Sequence, residues 1–265
     1  MDTLKVLTFN VRNCQAHDPS PNSWEERLPR IREFLGGEAP ALFGVQEAYH
    51  PQVVALCDGT TYRWVGGGRD DFRRAGEFCA LFYDPRRLEV LDWGNYALND
   101  DLAAPGVRAW GAGSPRVTTW ALFRDLRTAQ RFSCHNTHLD DQSEEARRNG
   151  LEITLAQMAT HYSECPQLLL GDFNATPESA VWSRASTVLE DASGIVLGGA
   201  AVPTATFHGW GKVRQVIDYI FVSQGLSVLD YRVADQVVDG GFLSDHYPVV
   251  VELMFGATRR PLVLA

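Results

Sequence analysis

The sequence predicts an α/β fold in which strands outnumber helices and hairpins mix with αβ connections, and three observations carry that expectation. Short apolar runs of strand length outnumber helical patterns. The plainest, Gln167-Leu168-Leu169-Leu170 between Pro166 and Gly171, reads as a strand buried on both faces. Strand-like runs separated by turn residues, 117–124 and 130–138 around Asp125-Leu126-Arg127-Thr128, point to an antiparallel hairpin. A helical stretch over 144–162 feeds through Pro166 into the next strand, an αβ connection of the kind that accompanies parallel pairing.

Taken in order, Leu4-Lys5-Val6-Leu7-Thr8-Phe9-Asn10 is a strand with an amide at its end, followed by a loop rich in Asn, Asp, Pro and Ser. Residues 24–35 are helical in pattern, and Ser23 with Glu26 has capping-box spacing. Pro29 opposes one continuous helix there and predicts either a short first turn or a start at Pro29, with Gly36-Gly37 as the stop. Residues 41–47 form a second buried strand, closed by Glu47. A weak helix over 50–56 and a strand over 62–65 follow, then a glycine-rich loop over 66–76 carrying Arg69, Arg73 and Arg74. Residues 78–83 and 88–93 read as a strand pair around the turn Asp84-Pro85, and 94–115 as a long loop of the sort often used for function.

Along the second arm of the 117–138 hairpin, Phe132, Cys134, Asn136 and His138 share one face. The helix over 144–162 has Ser143 as a cap, Glu144 and Glu145 at its positive end, and a stripe of Leu151, Leu155, Met158 and Tyr162. A further helix is expected from Thr176, with Pro177 at its first position. Strands over 216–222, 226–233 and 249–255 complete one domain spanning 1–256, with 257–265 as a loose C-terminal tail.

The chain has 265 residues, 45% of them hydrophobic, enough for one large core. No stretch approaches the ~20 apolar residues a bilayer-spanning helix needs, so no membrane partner is expected. Five scattered cysteines without CxxC spacing, and no leader pattern before the first strand, fit a reduced, cytoplasmic protein. No obligatory protein partner is evident. A net charge of −9 argues against a tight, non-specific grip on polynucleotide backbones, unless metal ions neutralise the phosphates locally.

Polar residues recur where buried strands end: Asn10, Glu47, His138, Asp172, Asn174 and Asp245-His246, with Asp218 inside an apolar strand. Asp172 and Asn174, two apart in a pleated segment, point the same way. A buried carboxylate is costly unless paired, hydrogen-bonded or bound to metal, and its recurrence at strand after strand exceeds turn chemistry. Oxygen ligands suit a hard cation, Mg²⁺ or Mn²⁺, and the histidines lack the spacing of an HExxH zinc site. No GxxxxGK[ST] loop, GxGxxG or Gly-x-Ser-x-Gly elbow is present, which excludes P-loop, dinucleotide-binding and serine-hydrolase readings.

Six ordered motifs carry a resemblance. Thr8-Phe9-Asn10-Val11-Arg12, Val45-Gln46-Glu47, Asn136-Thr137-His138-Leu139-Asp140, Gly171-Asp172-Phe173-Asn174, Ile217-Asp218-Tyr219-Ile220-Phe221 and Ser244-Asp245-His246-Tyr247-Pro248 together resemble the endonuclease/exonuclease/phosphatase (DNase I-like) superfamily. Asn22-Ser23-Trp24-Glu25, Gly76-Glu77-Phe78, Pro115-Arg116-Val117-Thr118-Thr119-Trp120 and Glu144-Glu145-Ala146-Arg147-Arg148 resemble a compact bacterial branch of metal-dependent hydrolases. The resemblance implies a four-layered α/β sandwich, two mixed β-sheets face to face flanked by helices, with the site at one end.

It also implies roles. Glu47 becomes the main metal ligand, helped by Asn10 and Asp245. Asp172 orients and deprotonates the attacking water, and Asn174 holds that water or a phosphate oxygen. His138 and His246 stabilise transition-state charge, and Asp218 fixes a histidine ring, that of His246. Arg116, Glu77 and Arg147 are candidate substrate contacts. Two departures stand out: Arg12 where DNA-repair members carry an acid, and Asp141 where the branch often has His, a place where specificity can differ. The implied activity is a Mg²⁺- or Mn²⁺-dependent phosphatase on a small phosphorylated substrate such as a sugar phosphate or nucleotide. The alternatives are a nuclease on short single-stranded nucleic acid (RNA 3′-exonuclease, deadenylase-like, or DNase-like) and a silent phospho-ligand binding module.

Overall fold

The computed structural model describes residues 2–197 and 205–256, so the expected tail lies outside the described residues. The first half runs β1 (Leu4–Asn10), α1 (Trp24–Glu38), β2 (Leu42–Gln46), α2 (His50–Cys57), β3 (Arg63–Val65), β4 (Leu81–Tyr83), β5 (Leu88–Ala97), β6 (Val117–Asp125) and β7 (Arg131–His138). The second runs α3 (Glu144–Thr160), β8 (Gln167–Asp172), α4 (Ala180–Ser186), β9 (Glu190–Asp191), α5 (Ala192–Leu197), β10 (Asp218–Val222), β11 (Leu226–Val233) and β12 (Val249–Phe255).

Two six-stranded mixed sheets result, ordered β11-β12-β1-β2-β4-β3 and β5-β6-β7-β8-β10-β9. β1 runs parallel to β2 and β7 parallel to β8, while the other pairs are antiparallel. One apolar cluster joins the facing sides of the sheets, with Leu4, Val6 and Leu42 against Phe132, Leu168 and Ile220. A second packs the outer face of the first sheet on Ile31 and Phe34 of α1 and Val53 of α2. A third packs Leu169 and Phe221 on Leu151, Leu155 and Met158 of α3 and Val181 of α4. Helix, sheet, sheet, helix is the four-layered sandwich expected.

The period-two pleat also builds the site. Leu4 and Val6 face the other sheet, and the same face of β1 continues to Thr8 and Asn10. On β7 Phe132 and Cys134 give way to Asn136 and His138, and on β8 Leu168 and Leu170 give way to Asp172. The interior is therefore apolar at one end of the sandwich and polar at the other. A buried amide bridge marks the change: Gln46 Nε2 donates to Asn136 Oδ1 (2.7 Å) and to Thr8 Oγ1 (3.1 Å), and Asn136 Nδ2 donates back to the Val45 and Ala80 carbonyls (2.9 Å each). The sheets approach so closely there that a Cβ on Gly44 would lie 2.2 Å from Leu170 and 2.8 Å from Asn136.

Several boundaries differ from expectation. α1 passes through both Pro29 and Gly36-Gly37, ending at Ala39 in a left-handed conformation. The capping box at Ser23 and Glu26 and the buried side chains of Arg27 and Arg30 hold its first turns where Pro29 offers no N–H. The runs at 78–83 and 88–93 are not a hairpin. β4 sits between β2 and β3 in one sheet, and β5 is the edge of the other. The turn after Asp84 and the buried Arg87–Asp125 ion pair (2.8 Å) carry the chain across, and two apolar runs by themselves do not say which sheet each joins. Beyond β8 the helix begins at Ala180, capped by Ser179, instead of at Thr176. Among the described residues no helix is long and apolar enough to cross a membrane.

Candidate active site

β1, β2 and the loop before β12 bring Asn10, Glu47, Asp245 and His246 from the first sheet; β7, β8 and β10 bring His138, Asp172, Asn174 and Asp218 from the second. Asp172 stands where they meet. Its Oδ2 accepts from Asn10 Nδ2 (3.0 Å) and lies 3.6 Å from His138 Nε2 and 3.8 Å from His246 Nε2. Its Oδ1 accepts from the Asn174 N–H (2.9 Å), which fixes the left-handed turn at Asn174 (φ 47°). Gly171, one residue before, lies so close to β7 that a Cβ would sit 1.9 Å from the Thr137 carbonyl oxygen.

Asn10 uses both ends of its amide inside the protein. Its nitrogen donates to Glu47 Oε1 (2.9 Å) as well as Asp172, and its oxygen accepts from the Arg12 N–H (3.0 Å). It thus braces the two carboxylates, and its oxygen keeps a second lone pair with which it can face a cation. Glu47, with a left-handed backbone (φ 63°), is held on its other oxygen by the Asn13 N–H (3.2 Å) and side-chain amide (3.1 Å).

Asp218 Oδ2 accepts from His246 Nδ1 (2.9 Å), as expected. Burial alone disfavours a charged ring, but Asp218, Asp172 and Asp245 outweigh it and lift His246 to about 10. His138 is the opposite case: burial and the positive field of Arg116 and Arg69 hold it well below the usual histidine range. A neutral ring agrees with its Nε2 facing the Asn174 amide nitrogen (3.1 Å), which also donates to the Leu139 carbonyl (3.0 Å).

Burial and the Asp218 charge push the Asp172 carboxyl up to about 7, against His246 and Asn10. Burial also works against a charge on Glu47, yet the Asn10 amide, the His246 charge and Arg12 bring it below the usual carboxylate range. Burial raises Asp245, with His246 opposing and Glu47 reinforcing. Two carboxylates that face the cleft and repel one another suit a hard divalent cation, which relieves the repulsion and takes oxygen ligands. A buried Asp172, Asp218 and His246 cluster, with ligand atoms within 4.8 Å of one another, is the other place to consider. There Asp218 and His246 are spent on each other (2.9 Å) and Asp218 does not line the cleft, whereas Glu47 and Asp245 both do, so that pair fits better.

These groups open into a polar cleft of about 350 Å³. Arg116 and Glu77 line it, but Arg147 does not; its guanidinium donates to the Asp140 carbonyl (2.8 Å) and steadies the loop after β7. Arg116 Nε bonds Asp140 (3.1 Å) and Nη2 bonds Asp141 (2.6 Å), while Glu77 pairs with Arg69 and is pushed by burial and by Glu47 to about 7.

Arg12, Asn13, Arg69, Ser114, Phe207, Gln215 and Ile217 complete the wall, and sequence pattern alone singled out none of them as site residues. Arg12 lay within a quoted motif, and its Nε reaches Asp18 (3.2 Å) and Asp245 (3.7 Å). Arg27 had no signal beyond helical spacing. Fully buried between Trp24 and Trp210, it donates to the carbonyls of Val11 (2.6 Å), Asn22 (2.9 Å), Leu243 (3.1 Å) and Arg12 (3.2 Å). It ties the loop after β1 to the loop that carries Asp245.

Known proteins agree with this architecture. A model of the endonuclease/exonuclease/phosphatase family matches residues 7–246. The chain is similar to the structure of an endonuclease/exonuclease/phosphatase from Bacteroides vulgatus, with 32% identity over 97% of this chain and 100% of that one and a TM-score of 0.90. A family protein from Bacteroides thetaiotaomicron is 27% identical over 97% of this chain and 99% of that one, with a TM-score of 0.87. A mannosyl-6-phosphatase from the same organism is 27% identical over 95% of this chain and 100% of that one, with a TM-score of 0.84. Among curated proteins none matches the sequence.

Proposed function

The chain belongs to the endonuclease/exonuclease/phosphatase family, and from that premise we propose that it is a Mg²⁺- or Mn²⁺-dependent phosphoesterase that hydrolyses a small phosphate ester by direct attack of water. The observation that carries the reading is the environment of Asp172, a carboxylate poised near 7 between two histidines and the amide that also holds Glu47. A base works best when its pKa lies near the operating pH.

Glu47 and Asp245 would hold the cation, which when bound would neutralise phosphate charge and polarise the phosphoryl oxygens. Asp172 takes the proton of the water as its oxygen attacks phosphorus. The ester P–O bond breaks with its electron pair on the leaving oxygen, which is protonated by solvent, and inorganic phosphate and an alcohol result. His246, charged and oriented by Asp218, stabilises the negative charge that grows on the phosphoryl oxygens. His138 and Asn174 hold the reacting water and phosphate in line.

Two features support a small substrate over a long polynucleotide. The net charge is −9, and the arginines at the cleft are engaged with acids. The similar mannosyl-6-phosphatase acts on a small phosphorylated sugar. The test measures phosphate release from phosphomonoesters, and cleavage of mono-, tetra- and twelve-nucleotide RNA, at low and high salt with Mn²⁺ or EDTA. Monoester turnover that EDTA stops and salt barely alters is expected. Rates that climb with RNA length and collapse in salt, with a log–log slope of roughly −0.7 per phosphate, assign a nuclease instead. Full activity in EDTA ends the metal reading.

A further inference from the structure

The geometry points to a hydroxyl-reading wall beside His138, in which Glu77 and Asp141, each clamped by an arginine, receive the hydroxyl groups of a sugar leaving group. This rests on the phosphoesterase reading above and narrows its substrate to polyol phosphates.

Every arginine lining the cleft already has a carboxylate: Arg12 has Asp18, Arg69 has Glu77, and Arg116 has both Asp140 and Asp141. A second phosphate, as in a nucleoside diphosphate or an oligonucleotide, meets no unneutralised cation there. It meets instead the acids that neutralise them. A hydroxyl meets the reverse situation. Each clamp spends one carboxylate oxygen on its arginine, and Glu77 Oε1 and Asp141 Oδ2 have no hydrogen-bond partner among the described residues. Arg116 likewise keeps Nη1 unbonded among them.

An acceptor oxygen next to a guanidinium N–H matches two neighbouring hydroxyls of a ring, one donating and one accepting. The ion pairs fix these atoms before substrate arrives, which lowers the ordering cost of binding. Ser114 and Gln215 add further polar groups, while the one phenyl ring in the wall, Phe207, is packed against His246 with centroids 4.7 Å apart. Little aromatic face is left on which a nucleobase could stack.

The experiment compares kcat/KM of the intact Mn²⁺-loaded protein on a hexose 6-phosphate, its 2-deoxy counterpart, AMP and phenyl phosphate. Glu77→Gln and Asp141→Asn are assayed beside wild type. Both changes are near-isosteric, and Asp141 is half exposed, so folding is not at risk there. Wild type should prefer the hexose phosphate to AMP. The ratio of hexose phosphate to phenyl phosphate should fall about 10–100-fold in at least one variant, the range expected for losing a charged hydrogen bond to a hydroxyl. A preference for AMP, or a ratio that neither variant alters, overturns the sugar wall and leaves the hydrolase standing. Hydrolysis of none of the four esters, with or without Mn²⁺, removes the small-phosphomonoester reading and this inference together.

Discussion

Glu47 and Asp172 are both carboxylates at the ends of central strands, both bonded to the same Asn10 amide, and their environments drive them in opposite directions. Glu47, on the first sheet, is held as an anion by amides, by Arg12 and by the charge on His246. Asp172, on the second sheet, is sealed beside Asp218 and rises to about 7. On the proposed function the difference teaches how one sandwich would divide its labour: the first sheet supplying a permanent charge for a cation, the second a carboxylate able to take and release a proton. The histidines repeat the division, with His246 charged and His138 neutral.

Breaking the first half of the comparison should have the largest effect. Glu47→Gln, almost unchanged in volume, should abolish turnover at ordinary Mg²⁺ while circular dichroism stays native. Wild-type rates in that variant are incompatible with Glu47 as the main ligand. Asp172→Asn comes next. It should lower kcat by ~10²–10⁴-fold with KM far less affected. A defect confined to KM would make Asp172 a binding residue.

A smaller effect sharpens the point about environment. Burial keeps Asp172 protonated in the native state at pH values where the unfolded chain has ionised it. The native state therefore holds more protons between its ordinary value of 3.8 and about 7, and stability falls as pH rises across that window. Asp172→Asn should accordingly raise the Tm of the metal-free protein more at pH 8 than at pH 4. Equal shifts at both pH values would contradict the raised carboxyl. Arg27→Lys keeps the charge but loses the fork that joins the loops of Arg12 and Asp245. Mn²⁺ affinity should weaken by ~10–100-fold, as is typical when the support of a ligand is removed, with kcat recovering at high Mn²⁺. Unchanged affinity in the folded variant would confine Arg27 to general stability.

The division of labour was partly visible in the primary structure. Strand ends are legible because a buried polar residue after an apolar run is costly, and Asn10, Glu47, His138 and Asp172 announced themselves that way, while Asp218 stood out as an acid inside an apolar run. The pairing of Asp218 with His246 followed from resemblance, and the 2.9 Å contact agrees with it. Less was visible where two distant segments decide the outcome. That the Asn10 amide nitrogen bridges Glu47 and Asp172 depends on which strands lie beside β1, and local sequence does not encode that. The assignment of β4 and β5 to different sheets was hidden for the same reason. Arg27 and Arg69 look like ordinary charged positions until the loops around them close.

The central claim, that cation and base are carried by different sheets, is tested most directly by titrating Mn²⁺ into wild type, Glu47→Gln and Asp172→Asn by calorimetry, with no substrate present. Asp172→Asn should bind Mn²⁺ with an affinity close to that of wild type, and Glu47→Gln should lose most of it. The reverse pattern, binding lost in Asp172→Asn and kept in Glu47→Gln, would place the cation on the buried Asp172, Asp218 and His246 cluster and contradict the account.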